Sequence, residues 1–337
     1  MKVLFISDAA RVEKYKPDTG FAKETAYTVL PISASEDEVI EAGRDAEVLV
    51  SDAITPVTRY EIEHMPRLKL IQSEGVAFNQ IDIRAAAERG IYVCNQKGAN
   101  AVAVAEQTIL LMLALLRDLV SGYSEVRAGR QIETKMYLMS HGIFELNERK
   151  VGLIGMGAIG KEVARLLVPF APEVFYNQHH PLSPEEEARY HVKFLPEEEL
   201  LSSCDIVSIH VPVTPETTGM CDHAFFSGMK DRSYFINTAR GEVVNNQALV
   251  EALKSGKLAG AGLDTLAPEP VQADNPLLNL PDDLQRRVIV TPHIGGGTSG
   301  FFRRANEMEW KNAERIARGL EPLNIVNGVS KRQQPQA

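Results

Sequence analysis

Three polar residues in the second half of the chain each follow a short apolar run: Arg240 in N-T-A-R-G, Glu269 in D-T-L-A-P-E-P and His293 in T-P-H-I-G-G. An arginine can clamp a carboxylate and its neighbouring carbonyl through paired N–H donors. A histidine can give or take a hydroxyl proton near neutral pH. A glutamate beside that histidine favours the imidazolium and fixes its orientation. Together they suit hydride transfer to a 2-keto acid. Taken singly, each has a plainer reading: a surface ion pair, a solvated loop residue, a turn residue. Their weight comes from standing at three successive strand ends downstream of a fourth motif.

That motif is Lys150 to Lys161, K-V-G-L-I-G-M-G-A-I-G-K. The apolar run Val151 to Ile154 enters Gly155, Gly157 and Gly160. Val163, Ala164, Leu166 and Leu167 then return at helical spacing. This is strand, tight turn, helix. Gly155 permits the turn, Gly157 lets backbone approach a pyrophosphate, and Gly160 lets helix pack close to strand. The phosphates would lie at the helix N-terminus, where free N–H groups and the helix dipole favour an anion. Ligands in open α/β sheets bind beyond the carboxyl ends of the strands, so Arg240, Glu269 and His293 are expected at the same edge as the dinucleotide.

A length of 337 residues predicts two domains. Net charge is −9 with a pI near 5.5, which argues against a nucleic-acid partner. Cys94, Cys204 and Cys221 have no metal-like or C-x-x-C spacing and read as buried or incidental thiols of a reducing compartment. No metal is expected. The N-terminus turns polar too early for a signal peptide, and the longest apolar run, Ile109 to Leu116, is too short for a membrane span. A cytoplasmic protein with no membrane contact is the expectation.

The positioning elements follow from alternation. Val3 to Ile6, Val48 to Val50, Leu68 to Ile71 and Ile91 to Val93 read as strands, with helices at Glu36 to Ala42, Arg59 to Met65 and Ile83 to Arg89. Ala101 to Leu119 reads as one long helix, apolar nearly all round and so buried between two bodies. Ser121 to Glu148 has no strong period and reads as a connecting loop with short helical turns. A second series of strands covers Val151 to Ile154, Val174 to Tyr176, Val192 to Phe194, Ile206 to His210, Tyr234 to Asn237, Ala259 to Leu263 and Val288 to Val290. Gln247 to Lys254 is a helix capped by Asn245 or Asn246 and stopped at Gly256. A last amphipathic helix runs from about Gly300 to Gly319, followed by an extended arm at Pro322 to Val326. The polar tail from Ser330 to Ala337 is expected to fray. The fold class is therefore α/β, with two Rossmann-like domains. A flavodoxin-like substrate domain, 1–99 with 298–337, would receive an inserted dinucleotide-binding domain, 100–297, and the active site would lie in the cleft.

The joint set of motifs resembles the D-isomer-specific 2-hydroxyacid dehydrogenases. The matching pieces are G-M-G-A-I-G at 155–160, H-V-P-V-T-P-E-T-T-G at 210–219, I-N-T-A-R-G at 236–241, D-T-L-A-P-E-P at 264–270 and T-P-H-I-G-G at 291–296, with E-G-V-A-F-N-Q-I-D at 74–82 and A-V-A-E-Q-T at 103–108 upstream. The resemblance implies Arg240 as substrate clamp, His293 as acid–base and Glu269 as its paired carboxylate. It implies a substrate-carboxylate loop at Gly75, Val76 and Ala77, alongside Arg240 and His293. It implies dinucleotide contacts from Gly155, Met156, Gly157, Ala158, Ile159, Gly160, Gln178, His179, His210, Val211, Pro212, Thr217, Thr238, Ala239, Arg240, Asp264, His293 and Gly295, with Asp264 holding the nicotinamide carboxamide. It also implies a homodimer built largely on the nucleotide domains.

The departures carry information. The ribose-binding acid, about 20 residues beyond the glycines, is replaced by Gln178 in Y-N-Q-H-H. A glutamine neither binds the 2′-hydroxyl strongly nor repels a 2′-phosphate. His179 and His180 could contact such a phosphate or could be exposed loop residues, so NAD and NADP both stand as cofactors. In the substrate loop Ala77-Phe78-Asn79 replaces the usual glycine, aromatic, acid, and Phe78 either shapes the pocket or packs on its own domain. Ser51 and Asp52 stand where phosphoglycerate-handling members carry an arginine, which weighs against a phosphorylated substrate. A small acid of the glyoxylate or hydroxypyruvate type is expected. Phosphite oxidation on the same fold and a dinucleotide-sensing, corepressor-like binding protein are the alternatives. Formate oxidation is disfavoured, because that branch carries glutamine where this chain has Glu269.

Overall fold

Short, largely apolar runs with no polar alternation form strands covered on both faces, as parallel sheets require. In the first unit these are β1 (Lys2–Ile6), β3 (Val48–Ser51), β4 (Leu70–Ser73) and β5 (Tyr92–Cys94), nearly every residue buried. The computed structural model describes residues 1–330, so the expected fraying of 331–337 lies outside the described residues. A further strand, β2 (Ala26–Leu30), pairs with β1 at the sheet edge and was not foreseen. It is only partly buried, so A-Y-T-V-L lacks the apolar run that marks its neighbours. The order β2-β1-β3-β4-β5 is all parallel and matches the flavodoxin-like doubly wound pattern.

Caps in the sequence set the helix starts. Ser35 with Glu38 and Thr58 with Glu61 form capping boxes, and Asp8, Asp82 and Thr298 each accept an N–H of the first turn. The last helix, Ser299–Ala317, packs on the first sheet through Trp310, whose ring lies 5.7 Å from Phe5 and 5.8 Å from Tyr27. Each such aromatic pair adds about 0.5–1.5 kcal/mol beyond area burial. The arm after it pairs with β5 through Val326 N–H to Val93 O at 2.8 Å. The first unit thus comprises Met1–Asn100 with the chain from Gly297 on, and the second is Ala101–Gly296.

The same helix carries Glu309 into the first core at 1% exposure, accepting from Gln96 Nε2 at 3.0 Å. Burial, with the nearby Glu74 charge, pushes its carboxyl well above the usual carboxylate range. A raised folded-state value means that the folded chain binds more protons than the unfolded one. Stability is therefore lost as pH rises from the unfolded carboxylate value, about 4.3, through the folded one. Glu309→Gln keeps the acceptor for Gln96 and removes the buried charge. It should raise the denaturant midpoint at pH 7. It should also flatten the decline of stability between acid and neutral pH, followed by chemical unfolding across that range.

In the second unit, β6 (Lys150–Ile154), β7 (Glu173–Asn177), β8 (Lys193–Phe194), β9 (Ile206–Ile209), β10 (Ser233–Asn237), β11 (Leu258–Leu263) and β12 (Val288–Val290) form one parallel sheet in the order β12-β11-β10-β9-β6-β7-β8. The order reverses at β6, between β7 and β9, which is where such sheets bind dinucleotides. The helix Ala158–Leu167 packs under the apolar helix Ala101–Leu116, which also covers β10 and β11. That helix ends at Leu116, short of the expected Leu119, because Asp118 adopts a left-handed φ of 47°.

The expected loop over Ser121 to Glu148 is instead mostly helical, with helices at Leu119–Arg127 and Gln131–His141. The correction has a physical reason. Their apolar residues face outward, so no buried stripe gives them the period of a core helix. None of Gln131–His141 is buried. No helix among the described residues is long and apolar enough to cross a membrane. The three cysteines are buried and unpaired, and burial pushes Cys94 to about 12 and Cys204 to about 11.

Candidate active site

The glycine turn is shaped by what each missing side chain would strike. Gly155 has φ 98°, and a Cβ there would lie 2.7 Å from His210 O at the end of β9. At Gly160 a Cβ would sit 2.1 Å from Gly155 O, so helix and turn touch through bare backbone. Gly157 differs, since a Cβ there would meet nothing within 4 Å. It caps the helix Ala158–Leu167 without a side-chain acceptor, which leaves the first-turn N–H groups for an external anion.

His210 is held at Nε2 by Ser208 Oγ at 2.9 Å, while its buried Nδ1 has no partner among the described residues. Burial pushes this imidazole down to about 3, so it is neutral at physiological pH. Thr217 closes the next loop by donating to Pro212 O at 2.6 Å, and Val211 packs against the core below. An open glycine face, uncapped helix N–H groups and an orphaned ring nitrogen fit a dinucleotide at the carboxyl edge of this sheet. Gln178 Oε1 accepts the Met156 N–H at 3.2 Å and Nε2 donates to His180 O at 2.6 Å, which turns its amide onto the loop. His179 and His180 are exposed.

Arg240 leaves β10 on a turn closed by Asn237, whose Nδ2 donates to Arg240 O at 2.8 Å and whose Oδ1 accepts from Ala239 N at 2.9 Å. The next residue, Gly241, lies against the strand exit of β11: a Cβ there would be 2.3 Å from Ala267 N. One guanidinium N–H donates to Ala239 O at 2.7 Å. The rest of the fork has no partner among the described residues. Thr238, just before, bonds the Thr108 hydroxyl at 2.9 Å.

Asp264 ends β11 at 2% exposure. Its Oδ1 accepts from Thr291 Oγ1 at 2.5 Å and Ile294 N at 3.1 Å, and Oδ2 accepts from Gly295 N at 2.8 Å. Gln107 Nε2 braces Thr291 Oγ1 at 3.0 Å. These bonds fold the T-P-H-I-G-G turn and hold His293 at a left-handed φ of 53°. Ala267 O, in the loop carrying Glu269, accepts from Asn246 Nδ2 at 2.8 Å and Asn275 Nδ2 at 3.1 Å.

Two braced loops thus bring His293 and Glu269 together. His293 Nδ1–H donates to Glu269 Oε1 at 2.7 Å and Oε2 at 2.8 Å. The acceptor carboxylate assigns the proton to Nδ1. The side chains remain 35% and 49% exposed, so Nε2 is open to a small molecule. Asn237, Gln107, Thr291 and Asn275 support this arrangement and were not assigned to the site from sequence, and Asn246, which also supports it, was read there only as a helix cap. Only Asn237, a side chain that folds a turn just after a strand, had a local signal.

In the first unit, the Gly75–Ala77 loop has all three carbonyls engaged. Gly75 O accepts from Gln96 N at 2.9 Å, Val76 O from Asn95 Nδ2 at 2.7 Å and Ala77 O from Ser73 Oγ at 2.6 Å. The Val76 and Ala77 N–H groups have no partner among the described residues, which leaves two adjacent donors open. Phe78 packs partly buried against the first core.

Residues 109–295 match the model of the D-isomer specific 2-hydroxyacid dehydrogenase, NAD binding domain. The chain belongs to that family. As a 2-hydroxyacid dehydrogenase family member it is an NAD(P)-dependent oxidoreductase acting on CH–OH groups. A glyoxylate reductase of Korarchaeum cryptofilum is 34% identical over 317 residues, 92% of this chain and 93% of that one. The solved apo D-mandelate dehydrogenase of Rhodotorula graminis superposes with a TM-score of 0.84 at 28% identity, covering 98% of each chain. The D-lactate dehydrogenase of Aquifex aeolicus, solved with NAD and lactic acid, gives 0.78 at 28% identity, covering 98% of this chain and 100% of that one. Among the described residues of this family member, no cluster of three or more His, Cys, Asp or Glu could hold a metal.

Proposed function

We propose that this dehydrogenase interconverts small, unphosphorylated 2-keto acids, of the glyoxylate or hydroxypyruvate type, with their D-2-hydroxy acids, using either NADH or NADPH. The observation that carries the reading is the His293–Glu269 pair, with Nδ1 held by both carboxylate oxygens and Nε2 open. The nicotinamide ring, when bound, supplies or accepts the hydride. His293 Nε2 gives its proton to the carbonyl oxygen as that oxygen becomes a hydroxyl, and takes it back in the reverse direction. Glu269 orients the ring and balances its positive charge. The free guanidinium N–H groups of Arg240 clamp carboxylate and carbonyl. The N–H groups of Val76 and Ala77 take the carboxylate. Asp264 holds the turn under His293 and has a lone pair on Oδ2 for the carboxamide. The 34% identical glyoxylate reductase supports a small substrate. Gln178 is neutral and turned onto its own loop, which supports acceptance of a 2′-phosphate.

Initial rates of NADH and NADPH oxidation with glyoxylate, hydroxypyruvate, pyruvate, phenylpyruvate and 2-oxoisocaproate test this. Turnover of the two smallest acids with both cofactors is expected. Strict NADH dependence would remove the Gln178 argument. Dinucleotide binding without turnover of any keto acid would overturn the reaction and favour phosphite oxidation or a sensor.

The same protein is proposed to act as a homodimer through Leu119–Arg127 and Gln131–His141. Ile132, Met136 and Met139 share one helical face at 67%, 60% and 65% exposure, with Tyr123 at 62% close in sequence. An apolar face this open marks an interaction surface. Size-exclusion chromatography with light scattering should find a dimer, and Met136→Glu should shift it to monomer. A monomeric parent chain would defeat the assignment.

A further inference from the structure

The exit of β4 carries a charge network that the backbone of the turn does not require. Glu74, immediately before the Gly75–Ala77 loop, is 8% exposed. Its Oε2 accepts from Arg11 Nη2 at 2.5 Å, and its Oε1 from the Ser7 hydroxyl at 2.8 Å. The same Arg11 nitrogen donates to Asp52 Oδ2 at 2.8 Å and to Ser7 Oγ at 3.0 Å. Ser7 follows β1, Asp52 follows β3 and Glu74 ends the turn out of β4. One guanidinium therefore ties together the ends of three neighbouring strands. Its charged end also lies 5.1 Å from the centre of the Phe302 ring, which shields one side. Burial pushes the Glu74 carboxyl up, and the Arg11 charge opposes that. On the far side of the loop, Gln96 links Gly75 O to Glu309, so the loop is anchored from two directions.

An anion on the Val76 and Ala77 N–H groups would lie two and three residues along the chain from Glu74. A buried carboxylate there without its cation would repel that anion and would itself lack a partner. We propose that Arg11 is a positioning residue that keeps the Gly75–Ala77 loop receptive to a carboxylate, by neutralising Glu74 and fixing the strand exit from which the loop departs. Arg11 does not touch substrate. Its action passes through Glu74. The inference rests on the proposed role of the loop as the carboxylate site.

The test is oxamate binding, by calorimetry, to the full chain saturated with NADH. Arg11→Met should weaken oxamate by at least about tenfold, since one unpaired buried charge is worth more than that, with NADH affinity unchanged. Arg11→Met combined with Glu74→Gln should recover most of the loss. Glu74→Gln alone should bind oxamate at least as well as the parent chain, which supplies an arm that does not depend on the single arginine variant folding. The KM for glyoxylate should follow the oxamate series while kcat stays nearly constant. Unchanged oxamate affinity in Arg11→Met, no recovery in the double variant, or weakened binding in Glu74→Gln would each overturn the inference, as would a parent chain that binds no oxamate. A parent chain that binds oxamate yet reduces no keto acid would defeat the proposed reaction alone, with the Arg11 series still decided by binding.

Discussion

Replacing His293 by asparagine is expected to lower kcat for keto-acid reduction by roughly 10²–10⁴-fold, the contribution of one positioned general acid. NADH affinity should hold within about twofold, because the turn is carried by Asp264 through the Thr291, Ile294 and Gly295 contacts rather than by the imidazole. Asparagine is the informative choice. His293 has a φ of 53°, a left-handed conformation that asparagine tolerates and most side chains do not. The variant therefore keeps the backbone while losing the ring that moves the proton. Steady-state rates beside a fluorescence titration of NADH separate the two readouts. A rate within tenfold of the parent would remove His293 as the proton donor.

Arg240→Ala should lower kcat/KM for glyoxylate by about 2–5 kcal/mol, roughly 30- to 4000-fold, the usual cost of truncating one side of a hydrogen-bonded charge pair. The size follows from the state of the guanidinium. Among the described residues only one of its bonds is made, to Ala239 O, so the remaining donors are available to a substrate. The fall should be shared between kcat and KM, because the carbonyl gains negative charge as hydride arrives and the arginine binds it more tightly then. Arg240→Lys should recover only part, since a point charge lacks the planar fork. The turn itself should survive, as Asn237 closes it from both sides. A kcat/KM within fivefold of the parent would show that the carboxylate is bound elsewhere.

The candidate site was legible because its residues lie at strand exits with local signatures. Gly155, Gly157 and Gly160 are spaced by the turn they form, and Arg240, Glu269 and His293 each sit in a short stretch beside an apolar run. The sheets were legible for the same reason, since most of the buried parallel strands contain a short apolar run. Three things were not. β2 is an edge strand whose covering is partial, so Ala26–Leu30 shows neither a run nor an alternation. The helices after Asp118 bury no described residue but Ser121, so their apolar positions, Ile132, Met136 and Met139 among them, lie outward and do not mark a core-facing element. The network under the Gly75–Ala77 loop joins Arg11 to residues 41 and 63 positions away, and no local pattern announces a pair that only the sheet order brings together. Asn275, which holds the Glu269 loop through Ala267 O, was hidden in the same way, and Asn246, which shares that carbonyl, was read only as a helix cap.

The first unit is sewn from two stretches of chain, with Trp310 and Val326 closing what Phe5 and Val93 began. On the ribosome this sets an order of events. The strands from Lys2 to Cys94 emerge early, but the sheet face around Phe5 and Tyr27 stays uncovered until Trp310 arrives. The contiguous stretch Ala101–Gly296 is complete before that and can fold as a unit. The dinucleotide half thus matures first, and the half that would grip the substrate spends about 200 residues of synthesis, at roughly 5–20 residues per second, as an open sheet. During that interval the nascent chain presents its apolar face to chaperones and to neighbouring nascent chains.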